Sequence, residues 1–99
     1  MKVEYSKQFI KAAYKFTGKY KLSLQRIIAE VIQVKNVADL TNCTKMAGFQ
    51  NSYRLKMGDY RLIFIFRIVD QVVLFELLLS RGEIYRKEHE MSLRKKEKD

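Results

Sequence analysis

The spacing of hydrophobic and polar residues changes period midway along the chain. Lys2-Val3-Glu4-Tyr5 alternates polar and apolar and predicts a short strand. Ser6 follows as a helix N-cap. From Lys7 the period is helical, with Phe9, Ile10, Ala13 and Phe16 on one side and Lys7, Lys11 and Lys15 on the other, until Thr17-Gly18 ends the helix. Leu24, Ile27, Ile28, Val31 and Ile32 then fall on one stripe of a second helix. Two amphipathic helices in succession suggest an antiparallel pair burying both stripes. Residues 35–52 lack a clean period and read as a long connection, with a short helical turn near Val37 to Leu40 and turn-forming residues at Gly48 and Asn51-Ser52.

Beyond residue 52 the period is two. Tyr53-Arg54-Leu55-Lys56-Met57 alternates apolar and basic residues, Gly58-Asp59 interrupts, and Tyr60 to Ile68 is rich in β-branched and aromatic residues. Asp70-Gln71 breaks the run before a further strand, Val72 to Leu79. Glu83 to Lys87 reads as a short final strand or extension, and residues 88–99 as a charged tail, either a frayed helix or disordered. The order is β-α-α-β-β-β. It predicts an α+β domain over residues 1–87, with an N-terminal helical hairpin packed on one face of a small antiparallel sheet.

Composition narrows the class. A chain of 99 residues has room for one domain. Its 47% apolar content is too high for a disordered basic tail. The single cysteine, Cys43, cannot form an internal disulfide and reads as a partly buried small apolar residue. No apolar run reaches the roughly 18 residues of a membrane span, and the first ten residues do not fit a secretory signal, so a soluble cytoplasmic protein is expected. The net charge is +9, and most of it lies within residues 1–80. The basic character therefore belongs to the folded part and points to a polyanionic partner: nucleic acid, an acidic protein or an anionic membrane.

The hairpin gives that charge a shape. Glycine first in a two-residue loop suits a type II′ turn. Met57 then pairs with Tyr60, Lys56 with Arg61, Leu55 with Leu62 and Arg54 with Ile63. Alternation places Arg54, Lys56 and Arg61 on one face. Leu55, Tyr60, Leu62, Phe64 and Phe66 share the other, core face. Like charges directly opposite one another are unfavourable, on the scale of about 0.2–1 kcal/mol per pair. Folding alone does not select this arrangement. A bridging phosphodiester relieves the repulsion and matches the forked donors of arginine. The competing reading is a solvated outer sheet face.

Arg81 and Tyr85 reach this face if the chain folds back after its most apolar strand. A tyrosine beside several cations is favoured as phenolate and can serve as a general base or stack on a nucleotide base. Otherwise it anchors the last segment to the core. Glu83 and Glu76 are candidate partners for Arg81 or Arg61. His89, the only histidine, cannot form a histidine pair and reads as a solvated side chain. No Gly-rich phosphate loop, HExxH motif or EF-hand loop is present.

The stretch from Lys45 to Phe64, KMAGFQNSYRLKMGDYRLIF, resembles the centre of RelE/ParE superfamily toxins of type II toxin–antitoxin systems. So does the later segment Arg81-Gly82-Glu83-Ile84-Tyr85. The resemblance spans roughly residues 1–87. It implies a toxin that enters the ribosomal A site and cuts mRNA without metal or other cofactor, the 2′-hydroxyl attacking the adjacent phosphate. On matching positions it implies catalytic roles for Lys56, Arg61, Arg81 and Tyr85, and RNA binding by Arg54 and Lys45. Glu83 and His89 complete the candidate set. The partners it implies are an acidic antitoxin, the ribosome and mRNA, with no membrane. The alternative within the superfamily is a ParE-like, non-catalytic inhibitor of DNA gyrase. Two departures stand out: Arg54 where many relatives have lysine, and Leu79-Ser80 before Arg81 in place of the family's Gly-His or Gly-Lys.

Overall fold

The computed structural model describes residues 1–98, apart from the side chain of Tyr85. Strand β1 (Lys2–Tyr5) leads into helix α1 (Lys7–Ala13) and helix α2 (Gly18–Gln33). Four strands follow: β2 (Cys43–Lys45), β3 (Ser52–Met57), β4 (Tyr60–Arg67) and β5 (Val72–Ser80). Helix α3 (Lys87–Lys98) closes the chain. The sheet order is β1-β5-β4-β3-β2. The expected α+β class holds, in a five-stranded mixed sheet.

Ser6 caps α1 as its residue type suggests. Its Oγ accepts the Phe9 N–H at 3.0 Å and donates to the Glu76 carbonyl at 2.7 Å, tying the helix start to β5. The α1–α2 side of the sheet holds the main core, where Phe9, Phe64 and Phe75 are fully buried. Their rings meet at 5.2 Å (Phe9–Phe75) and 6.1 Å (Phe64–Phe75). Each such side chain contributes about 1.5–3 kcal/mol of burial.

Three expectations are corrected. The sheet is not wholly antiparallel, because β1 runs parallel to β5, with Val3 opposite Val73. The two strands are far apart in sequence, so no hairpin dictates their relative direction. The connection 35–52 contains β2, which pairs with β3 but is too short to show a period. Glu83–Lys87 is not a strand: a 3-10 turn at Glu83–Tyr85 precedes α3.

The charged tail expected over residues 88–99 is, from Lys87 to Lys98, a helix docked on the sheet face opposite α1 and α2. Glu88 and Glu90 lie in its first turn and Lys95, Lys96 and Lys98 in its last, the order that complements the helix dipole. Leu93 is buried with Phe49, Ile63, Ile65, Leu77 and Ile84 in a second apolar cluster. β4 and β5 are thus buried on both faces along much of their length, which accounts for their unbroken apolar runs.

Candidate active site

The hairpin register is the one the sequence predicts: Met57 opposite Tyr60, Lys56 opposite Arg61, Leu55 opposite Leu62 and Arg54 opposite Ile63. Gly58 takes φ +58°, the left-handed value that glycine adopts without strain. The Lys56 N–H turns away from β4 and donates to the Asn42 carbonyl at 3.1 Å. Lys56 and Arg61 therefore form a non-hydrogen-bonded pair, the kind whose Cα atoms approach to about 4.5 Å.

Arg81 joins them through the backbone. Its N–H donates to the Asp59 carbonyl at 2.8 Å, so the segment leaving β5 is pinned to the hairpin turn. The result is a cleft of about 320 Å³ lined by Arg54, Lys56, Arg61, Arg81, Asn42, Thr44 and Ile84. Among the described residues, four cationic side chains line it and no carboxylate does. Arg61 is oriented from behind: its Nη1 donates to the carbonyls of Gly58 (2.8 Å) and Tyr60 (2.9 Å). That leaves Nε–H and the Nη2 edge of the fork for a ligand.

The loop that leads into β3 is held by α3. Glu97 accepts from the N–H groups of Gln50 (3.2 Å) and Asn51 (2.6 Å) and from the Ser52 hydroxyl (2.8 Å). Arg94 stacks over the Phe49 ring at 4.4 Å and donates to the Gly48 carbonyl at 2.9 Å. These contacts order the loop that delivers Arg54 and Lys56 on β3.

Arg54, Lys56, Arg61 and Arg81 are therefore gathered in one place. The backbone of Tyr85 lies in the turn just beyond Arg81; its side chain falls outside the described part of the structure. Lys45 pairs with Tyr53 on β2, so its side chain stands on the face opposite Thr44 and Arg54 and does not line the cleft. His89 lies on α3, outside the cleft lining.

Neither expected acid reaches the arginines. The Glu83 carboxylate accepts from the Ser80 hydroxyl (2.6 Å) and N–H (3.2 Å). Those hydrogen bonds hold its pKa below the usual carboxylate value. Glu76 is buried at the β4–β5 irregularity, accepting from Gln8 at 2.7 Å and facing Lys96 at 3.9 Å. Each acid thus does structural work where the chain bends. Cys43 is half-buried, and burial, with the Glu30 carboxylate adding to it, pushes the thiol up to about 11.

Asn42 and Thr44 line the cleft without having been singled out in the sequence. The one available signal was Asn42, a residue type that tolerates the left-handed φ of +54° it adopts here.

No family model matches the chain. The chain is 29% identical over 86 residues to toxin RelE3 of Methanocaldococcus jannaschii, covering 86% of this chain and 96% of that one. Its fold matches the RelB–RelE antitoxin–toxin complex of Methanococcus jannaschii with a TM-score of 0.70 at 23% identity, over 82% of this chain and 93% of the other. It matches a mutant of Escherichia coli toxin RelE in the free state with a TM-score of 0.69 at 17% identity, over 96% and 95%.

Proposed function

We propose that this chain, RelE-like in sequence and in fold, is the toxin of a type II toxin–antitoxin pair and cuts mRNA on the ribosome. The observation that carries the proposal is the cleft, in which Lys56, Arg61 and Arg81 converge beside Arg54 and no acid among the described residues is part of the lining. Elsewhere in the chain cations do find carboxylates, as where Arg67 meets Glu4 at 3.1 Å and Asp70 at 3.0 Å. Lys56, Arg61 and Arg81 have no carboxylate partner among the described residues, and such a concentration of positive charge is a site for an anion that arrives from outside.

The chemistry follows from the donors. Arg61 and Arg81 face the scissile phosphate and stabilise the charge that grows on its oxygens as the 2′-hydroxyl attacks. Preorganised donors of this kind supply the largest single contribution to many rate enhancements. Arg54, whose guanidinium offers only donors, grips backbone phosphate. Lys56 or Tyr85 takes the 2′-hydroxyl proton. The bond from phosphorus to the 5′-oxygen breaks and that oxygen takes a proton from solvent, leaving a 2′,3′-cyclic phosphate and a 5′-hydroxyl.

The partners are the ribosomal A site with its mRNA and an acidic antitoxin that neutralises the cleft, and the location is the cytoplasm. Among the described residues no helix is long and apolar enough to cross a membrane. The test adds the purified chain to a translation reaction, maps mRNA 5′ ends, and runs a gyrase supercoiling assay in parallel. Codon-phased cuts are expected. Intact message with blocked supercoiling overturns the nuclease reading in favour of a ParE-like inhibitor.

A further inference from the structure

We infer that the RNA-binding surface extends past the cleft, around the edge of the hairpin, into a second phosphate-binding groove on α2. The inference rests on the reading of the cleft as an RNA site. The groove measures about 490 Å³, and its lining includes Lys19, Tyr20, Ser23 and Arg26 of α2. Asn42 and Lys56 line both the groove and the cleft, so the two hollows meet at those side chains. Lys19, Ser23 and Arg26 are spaced i, i+4 and i+7, which sets them along one stripe of the helix facing the hairpin.

Three observations favour a polyanion here over a merely solvated helix face. No acid among the described residues lines the groove. Glu30, the one carboxylate of α2, is occupied by the Thr41 hydroxyl at 3.0 Å, and neither Lys19 nor Arg26 forms an ion pair among the described residues. The wall is rigid as well. Tyr20 packs edge-on against Tyr60 at 5.1 Å and lies against the hairpin turn, its hydroxyl 3.3 Å from where a Cβ on Gly58 would stand. A strand whose phosphate sits between Arg61 and Arg81 meets Lys56 next, then Lys19 and Arg26. Ser23 and Asn42 add uncharged hydrogen-bonding groups along that path.

The test is fluorescence anisotropy with a labelled, 2′-O-methylated single-stranded RNA, which cannot be cleaved, titrated over a range of salt. Each phosphate contact on a single strand contributes about 0.7 to the slope of log K against log[salt]. K19A/R26A is expected to lower the slope by about 1.4 relative to wild type. K7A/K11A removes the same charge from exposed positions on α1 and is expected to leave the slope near wild type. K19Q/R26Q keeps side-chain bulk and is expected to match K19A/R26A.

A slope for K19A/R26A equal to that of K7A/K11A overturns the inference. So does a loss confined to the binding of an acidic protein, which would assign the groove to an antitoxin. If the slope falls as expected while message stays intact in the translation assay, the groove stands and the nuclease reading fails.

Discussion

On the nuclease reading, Arg61→Ala separates catalytic from structural roles because its expected effects on rate and stability differ greatly in size. The guanidinium is aimed by two backbone carbonyls and presents its remaining edge to the cleft. Loss of one preorganised donor to a developing oxyanion costs about 2.7–4 kcal/mol, or roughly 10²–10³ in kcat. The effect on stability is a small loss. Removing Arg61 relieves its repulsion with Lys56 directly opposite, a gain of about 0.2–1 kcal/mol. It also gives up two hydrogen bonds to hairpin carbonyls, each worth about 0.5–1.5 kcal/mol and less where water can replace the donor.

With water replacing part of the lost donors, the hydrogen bonds outweigh the relieved repulsion slightly, so a net loss of about 1 kcal/mol and a fall in Tm of about 4–8 °C are expected. Arg61→Lys keeps the charge but loses the fork, and its rate is expected between the two. The assay is single-turnover cleavage of message on programmed ribosomes beside a thermal melt. A rate loss under tenfold with an unchanged melt refutes the catalytic assignment. A fall in Tm of more than about 15 °C refutes the view that the fold does not need this residue.

Leu93→Ala opens a cavity where α3 meets the sheet and is expected to cost about 2–5 kcal/mol, with amide exchange accelerating in α3 before β4; unchanged protection of α3 would show that Leu93 is not its anchor. Gly58→Ala places a Cβ at a positive φ and 3.3 Å from the Tyr20 ring, for an expected loss of about 1–3 kcal/mol in urea unfolding; a loss under about 0.5 kcal/mol would mean the turn relaxes freely. With its thiol pushed up to about 11, Cys43 is expected to react with a disulfide reagent at pH 8 roughly 100-fold more slowly than an ordinary thiol, and to speed up as pH approaches 11. The folded chain holds that proton more tightly than the unfolded chain, so its contribution to stability declines as pH rises above the ordinary thiol value, and a flat stability curve there would contradict it.

Local pattern alone determined the pieces of this protein whose causes are local. The Ser6 cap, the α2 stripe, the turn at Gly58-Asp59 and the four hairpin pairs depend on residue type and on periods of 3.6 and two, and all can be read along the chain. So can the placement of Arg54, Lys56 and Arg61 on one face, since a two-residue turn sets the register and the register sets the side. Tertiary structure decided what depends on partners distant in sequence. The direction of β1 is set by β5, and the ordering of α3 depends on an apolar sheet face made by Ile63, Ile65 and Leu77. Arg81 reaches the cleft through one backbone hydrogen bond to Asp59, and Lys45 is turned away from it by pairing in a strand too short to show a period. Glu83 and Glu76 go to Ser80 and Gln8 rather than to the arginines, because a carboxylate pairs with the nearest donors the folded chain presents.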